Sequence, residues 1–245
     1  MIIIFHHIVK TAGTSLRFIL KQNYQLWETY GANRDSLDWY SAFYQTLPKQ
    51  DVCIASHSAH FLIPILIEHQ HPFQAFCLLR NPLQRVVSLY QFVLSIADID
   101  SGRGGQTGRM IRELGWRLPD IYTQLGTGNP RQSELHELFK HFFNGQIYTL
   151  LAPHTDVEQL AFNATELSNS QQQILDNILM RYYTVGVQEH YEASIQLLAQ
   201  KFNWHTLPIV TENASTAPPL ILPIEIQKLI LKHNQLDAAL HQKYI

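Results

Sequence analysis

Six consecutive residues near the start of the chain, Lys10-Thr11-Ala12-Gly13-Thr14-Ser15, have the make-up of an anion site. Small residues between a strand and a helix leave backbone N–H groups pointing outward at the helix N-terminus, where the helix dipole favours negative charge. Gly13 lets the backbone approach a phosphate closely. Thr14 and Ser15 add hydroxyl donors, and Lys10 adds a mobile positive charge at the mouth of the loop. An imidazole is suited to taking a proton near neutral pH. The run Ser56-His57-Ser58-Ala59-His60 offers two, with His57 the first candidate for a general base and His60 the reserve. His6 and His7 are neighbours on an extended segment, so they point to opposite faces and make poor joint metal ligands. His57 and His60 have the spacing to share a metal, but no second cluster at ligand spacing joins them, and no catalytic metal is expected.

The elements that position these residues follow from periodicity. Ile2 to Val9 is continuously apolar or β-forming, as in a strand buried on both faces of a parallel sheet. Leu16, Ile19, Leu20 and Tyr24 then fall at helical spacing. A second strand is predicted at Asp51 to Ser56, followed by a helical stretch over Leu62 to Glu68 despite Pro64. A third strand at Gln74 to Leu79 ends on Arg80. Asn81-Pro82 then opens a helix running to about Ala97, with Asn as cap and Pro at the first helical position.

Residues 98–131, punctuated by glycines, read as a long excursion on the acceptor side with one helix near Met110 to Arg117. Helical patterns recur at 133–143, 157–162, 170–182, 191–202 and 224–244, with a short strand at 183–187. Strands alternating with helices predict a single α/β domain over residues 1–245 with a central, mainly parallel sheet. His57 would lie at its carboxyl edge, where such sheets bind ligands.

A net charge of -2 gives no global positive field, so nucleic acid is not an expected partner. No apolar run approaches the roughly 20 residues of a membrane helix. The apolar start lacks a basic leader and a small-residue cleavage site, so a cytoplasmic protein is expected. Cys53 and Cys77 sit in apolar runs and read as buried reduced thiols, with a bridge between neighbouring strands as the alternative.

The stretch His7-Ile8-Val9-Lys10-Thr11-Ala12-Gly13-Thr14-Ser15-Leu16 resembles the 5'-phosphosulfate loop of sulfotransferases that use 3'-phosphoadenosine-5'-phosphosulfate (PAPS). The carbohydrate branch, which includes heparan sulfate 2-O-sulfotransferase, is the nearest, although it has Pro where Val9 stands. Leu78 to Tyr90 is similar to that family's 3'-phosphate motif, which often has Asp in place of Asn81. Arg80 ends a strand and Ser88 lies about two turns into the next helix, so both can grip one phosphate, Arg by paired N–H donors. Arg85 would add charge there, be solvated, or pair with a carboxylate. Phe143-Asn144-Gly145-Gln146, Val185 to Tyr191 and Glu212 to Thr216 are similar to further segments of the family in the expected order.

The resemblance implies a P-loop-like three-layer fold and in-line transfer of a sulfuryl group to an acceptor hydroxyl, most readily on a carbohydrate. Lys10 would meet the leaving-group oxygen and the 5'-phosphate, and His57 would take the acceptor's proton. The donor-binding set is Lys10, Thr11, Ala12, Gly13, Thr14, Ser15, Arg80 and Ser88. The P-loop of nucleotide triphosphatases differs, because it needs GxxxxGK[ST] and Lys here precedes the glycine. A small-molecule kinase is therefore the second reading, and a non-catalytic nucleotide-binding module the third. The acceptor is left open. Arg103, Arg109, Arg112, Arg117 and Arg131 outnumber the acids between residues 101 and 131, as an anionic glycan would require, and equally as a solvated segment would.

Overall fold

Strand β1 (Ile2–His6) lies at the centre of a five-stranded sheet ordered β2-β3-β1-β4-β5. β2 is Leu26–Glu28, β3 Val52–Ser56, β4 Phe73–Leu79 and β5 Tyr183–Val187, and every pairing is parallel. This computed structural model describes residues 1–30, 36–47, 51–100, 102–125, 132–157, 164–207 and 220–245. The chain moves to one side of β1 for β2 and β3, then to the other for β4. The loop after β1 therefore sits at a topological switch point, where open α/β sheets form their ligand crevice.

All five residues of β1 are buried, and their alternation assigns two cores. Ile3 and Phe5 join Cys53, Ala55, Phe76 and Leu78 on the face covered by α1 (Gly13–Asn23) and α10 (Tyr191–Phe202). Ile2 and Ile4 join Val52, Ile54 and Ala75 on the opposite face, covered by α2 (Leu37–Tyr44) and α3 (Leu62–Glu68). On that side Cys77 and Leu79 pack beneath α8 (Gly145–Leu151), α9 (Asn169–Tyr182) and α12 (Gln235–Gln242). The result is the expected three-layer α/β fold. Pro64 is tolerated as the third residue of α3, where its missing N–H would have no partner within the helix. Both cysteines are free and buried, on strands separated by β1.

The expected excursion is helical in its described part. α5 (Arg103–Leu114) and α6 (Leu118–Gln124) pack with α4 (Pro82–Ser95), α7 (Gln132–Phe139) and α11 (Ile224–Lys232) around a separate apolar cluster. Two of the glycines that suggested a loop serve close packing. A Cβ on Gly108 would lie 2.0 Å from the Val93 carbonyl oxygen, and one on Gly105 would lie 1.9 Å from that of Asp100.

The C-terminal helical pattern is broken into α11 and α12 at Asn234. That side chain is fully buried and binds the Asn144 amide and the Phe142 carbonyl. β2 and α2 have no counterpart in the sequence pattern. The helical pattern at 157–162 and the segment Glu212 to Thr216 lie, wholly or in all but one residue, outside the described residues. No helix among them is long and apolar enough to cross a membrane.

Candidate active site

The loop after β1 is held in an uncommon backbone conformation. Lys10 (φ 69) and Ala12 (φ 66) are both left-handed, which costs about 1–2 kcal/mol for each residue with a Cβ. Such strain persists only where the surroundings enforce it. The His7 amide donates to the Ser56 carbonyl at 3.0 Å, and the Thr11 hydroxyl donates to the Ile8 carbonyl at 2.9 Å. The Lys10 carbonyl accepts from Arg80 Nη1 at 3.1 Å. Left-handed Ala12 leads directly into α1, so successive amides turn toward one side, as in an anion-binding nest. No side chain caps α1, and its first turn holds no acidic residue.

Thr14 is exposed and Ser15 is buried in the first turn. Thr11 is different: its hydroxyl is turned inward and buried, so its side chain braces the loop. Gly13 is required by contact, because a Cβ there would lie 2.0 Å from the His7 ring.

Arg80 follows the last residue of β4, and its backbone is bracketed by Gln146. Its amide donates to Gln146 Oε1 and its carbonyl accepts from Gln146 Nε2, both at 2.9 Å. The next amide, Asn81, donates to Glu189 at 2.8 Å, and Glu189 in turn meets His241 at 3.0 Å. The Asn81 side chain accepts from the Leu83 and Gln84 amides, capping α4 as its sequence predicts.

Arg80 Nε is buried without a partner, an orphaned donor beside the loop. Burial pushes the pKa of Arg80 down, against the pull of Glu189. Ser88 is half-buried on α4. Of the three readings of Arg85, carboxylate pairing is the one seen. Arg85 is 1% exposed, 3.5 Å from Asp237, and donates to the His141 carbonyl at 2.8 Å. Asp237 also accepts from the Gln146 and Ile147 amides at 3.1 and 2.9 Å. Arg85 thus supports the bracket around Arg80 from within.

The histidines separate by burial. His57 is exposed, and its Nδ1 lies 2.7 Å from the His7 carbonyl oxygen. A carbonyl only accepts, so Nδ1 carries the hydrogen and Nε2 the lone pair. The His57 ring lies 4.2 Å from His7 and 5.0 Å from Tyr30, and the Tyr30 hydroxyl lies 2.8 Å from His7 Nδ1. His7 is therefore a strut between Gly13 and His57. Arg17 sits 4.5 Å over the Tyr30 ring and binds Glu28 at 2.6 Å.

His60 is buried against His6, with ring centroids 4.5 Å apart, and burial pulls its pKa down to about 3. Buried and held neutral, it is unsuited to proton exchange near neutrality. Among the described residues, no group of three His, Cys, Asp or Glu side chains is set to hold a metal ion.

Lys10, Gly13 and Arg80 are thus brought together, and His57 stands one ring away through His7. Tyr30, Gln146, Glu189 and Asp237 were not read as site residues. Gln146 and Glu189 lay in segments noted for resemblance, whereas Tyr30 and Asp237 carried no local signal. The arginines of α5 and the one that caps α6 are engaged locally: Arg103 with Glu137, Arg112 with Asp98, Arg109 with the Ala97 and Asp100 carbonyls, and Arg117 with Asp120.

The structure is similar to the crystal structure of a sulfotransferase from Alicyclobacillus acidocaldarius, with a TM-score of 0.53 and 11% identity. The likeness covers 98% of this chain and 94% of that one. The two proteins share a fold. The sequence matches no family model and no curated protein.

Proposed function

We propose that this protein is a sulfotransferase that moves a sulfuryl group from PAPS to an acceptor hydroxyl, with a carbohydrate as the favoured acceptor. One observation carries the reading. The strained, basic loop after β1 is tied by its Lys10 carbonyl to Arg80, whose Nε is buried and unpartnered. Two anion-binding groups fixed to each other suit a donor with phosphates at both ends, and an orphaned guanidinium N–H suits a phosphate oxygen. The shared fold with a sulfotransferase agrees with this.

In this reading the amides around Gly13 and Thr14, with the Thr14 and Ser15 hydroxyls, hold the 5'-phosphate. Arg80 and Ser88 hold the 3'-phosphate. Thr11 and Ala12 contribute through the backbone. His57 Nε2 takes the proton of the acceptor hydroxyl as its oxygen bonds to sulfur, and the bond from sulfur to the phosphate oxygen breaks in line. Lys10 stabilises the charge that builds on that leaving oxygen. Charge stabilisation of this kind contributes about a hundred- to a thousandfold in rate.

The test is calorimetry with adenosine 3',5'-bisphosphate, followed by transfer of labelled sulfate from PAPS to a panel of glycans, lipids and phenols. Mg²⁺-independent binding, with transfer lost in Lys10→Ala, is expected. A preference for Mg-ATP would identify a kinase instead. Donor binding without transfer to any acceptor would leave a nucleotide-binding module.

A further inference from the structure

Among the described residues, the ammonium of Lys10 has one close partner. Its Nζ lies 4.3 Å from the ring centroid of Phe92, and among the described residues no carboxylate or hydrogen-bond acceptor meets it. Phe92 lies on α4 one turn beyond Ser88, so the two share a helix stripe. It is a large apolar side chain left 38% exposed, and a Cβ on Gly104 of α5 would lie 4.0 Å from the edge of its ring.

The surroundings of Lys10 oppose its charge. Burial pushes its pKa down, and the Arg80 cation pushes it further. Lys10 in turn lowers the pKa of His7, after β1, and Arg103 at the start of α5 pairs with Glu137. A carboxylate at position 92 would hold the ammonium more tightly, but it would also repel an anionic ligand. An aromatic face attracts the cation with no net charge of its own.

We propose that Phe92 is a positioning residue for Lys10, its ring holding the ammonium at the loop mouth as an uncharged stand-in for the anion. The identity of that anion rests on the donor reading. The contact itself does not.

The test is an NMR titration of protein whose lysines are reductively methylated with ¹³C, with Lys10 assigned from its missing signal in Lys10→Arg. In Phe92→Leu the ring face is lost at similar volume, and Lys10 is expected to titrate about half to one and a half pH units lower than in wild type. In Phe92→Trp, with the stronger π face, it is expected to titrate higher. Lys10 titrating as wild type in either folded variant overturns the proposal, and the tryptophan variant decides alone if the leucine variant does not fold.

Calorimetry then separates this from the donor reading. Phe92→Leu should lose affinity for adenosine 3',5'-bisphosphate at a lower pH than wild type. Wild type that binds none at any pH refutes the donor reading and leaves the titration order to stand or fall by itself.

Discussion

Arg80 Nη1 donates to the backbone carbonyl of Lys10 at 3.1 Å, across 70 residues of sequence, so the loop after β1 and the end of β4 are fixed to one another. In the proposed site, removing the Arg80 side chain therefore acts twice, on the phosphate it would grip and on the loop it holds. Arg80→Ala should weaken adenosine 3',5'-bisphosphate by about 10- to 150-fold, the range of a lost charge-assisted hydrogen bond. Arg80→Lys keeps the charge but not the fork, so it should recover only part of that affinity. Calorimetry on both variants checks this, and equal affinity in wild type and Arg80→Ala would remove Arg80 from the site.

Gly13 faces the His7 ring with no space between. Gly13→Ala should cost about 1–3 kcal/mol, the usual range for overpacking. Because the strain lies in one contact, His7→Ala in the same chain should cost less than the two single changes added together. Urea midpoints of the four proteins test this. Additive losses would mean that the loop and the ring yield independently.

The Arg85–Asp237 pair sits behind the Gln146 bracket around Arg80. Asp237→Ala leaves a buried guanidinium without its partner, at about 3–5 kcal/mol. Replacing both with apolar residues, Arg85→Met with Asp237→Leu, should recover only part of that. The Gln146 and Ile147 amides still lose their acceptor. Chemical unfolding gives the stability, and donor titration shows whether a loosened Gln146 bracket also weakens the grip of Arg80.

Burial keeps several imidazoles neutral. It pulls His60 to about 3 and His154 to about 4, and it lowers His6, His7 and His141 as well. The unfolded chain takes up these protons below about pH 6.5, whereas the folded chain does not. The stability they confer is thus full above pH 6.5 and is lost as the pH falls toward the folded values. Each such group steepens the loss by up to about 1.4 kcal/mol per pH unit. The urea midpoint should be lower at pH 5 than at pH 7.5. Equal midpoints would show that these rings are not buried in neutral form.

The parts legible in the sequence were those whose signal is local. An apolar strand, a small-residue loop and a helix announce themselves within twenty residues, and so does Asn81-Pro82 after a strand. β2 escaped because three residues at a sheet edge carry no periodicity. The glycines of α5 were taken for loop punctuation, since composition does not distinguish a turn from a helix pressed against its neighbour.

His57 and His60 were separable only by burial, which depends on His6 packing from another strand. Asp237 and Tyr30 act across 90 and 23 residues of sequence respectively, on partners that no short pattern names. Phe92 read as an ordinary helix residue, and only the position of Lys10 gives it a meaning.

The bracket around Arg80 also has an order in time. A ribosome releases β1, the loop and Arg80 before α4, whereas Asp237, which accepts from the Gln146 amide, emerges after α11. Until then Gln146 lacks its anchor and Arg80 lacks its settled backbone. The nascent protein therefore carries the loop after β1 long before the backbone of Arg80 is settled, and the site as proposed is assembled only once α12 has folded.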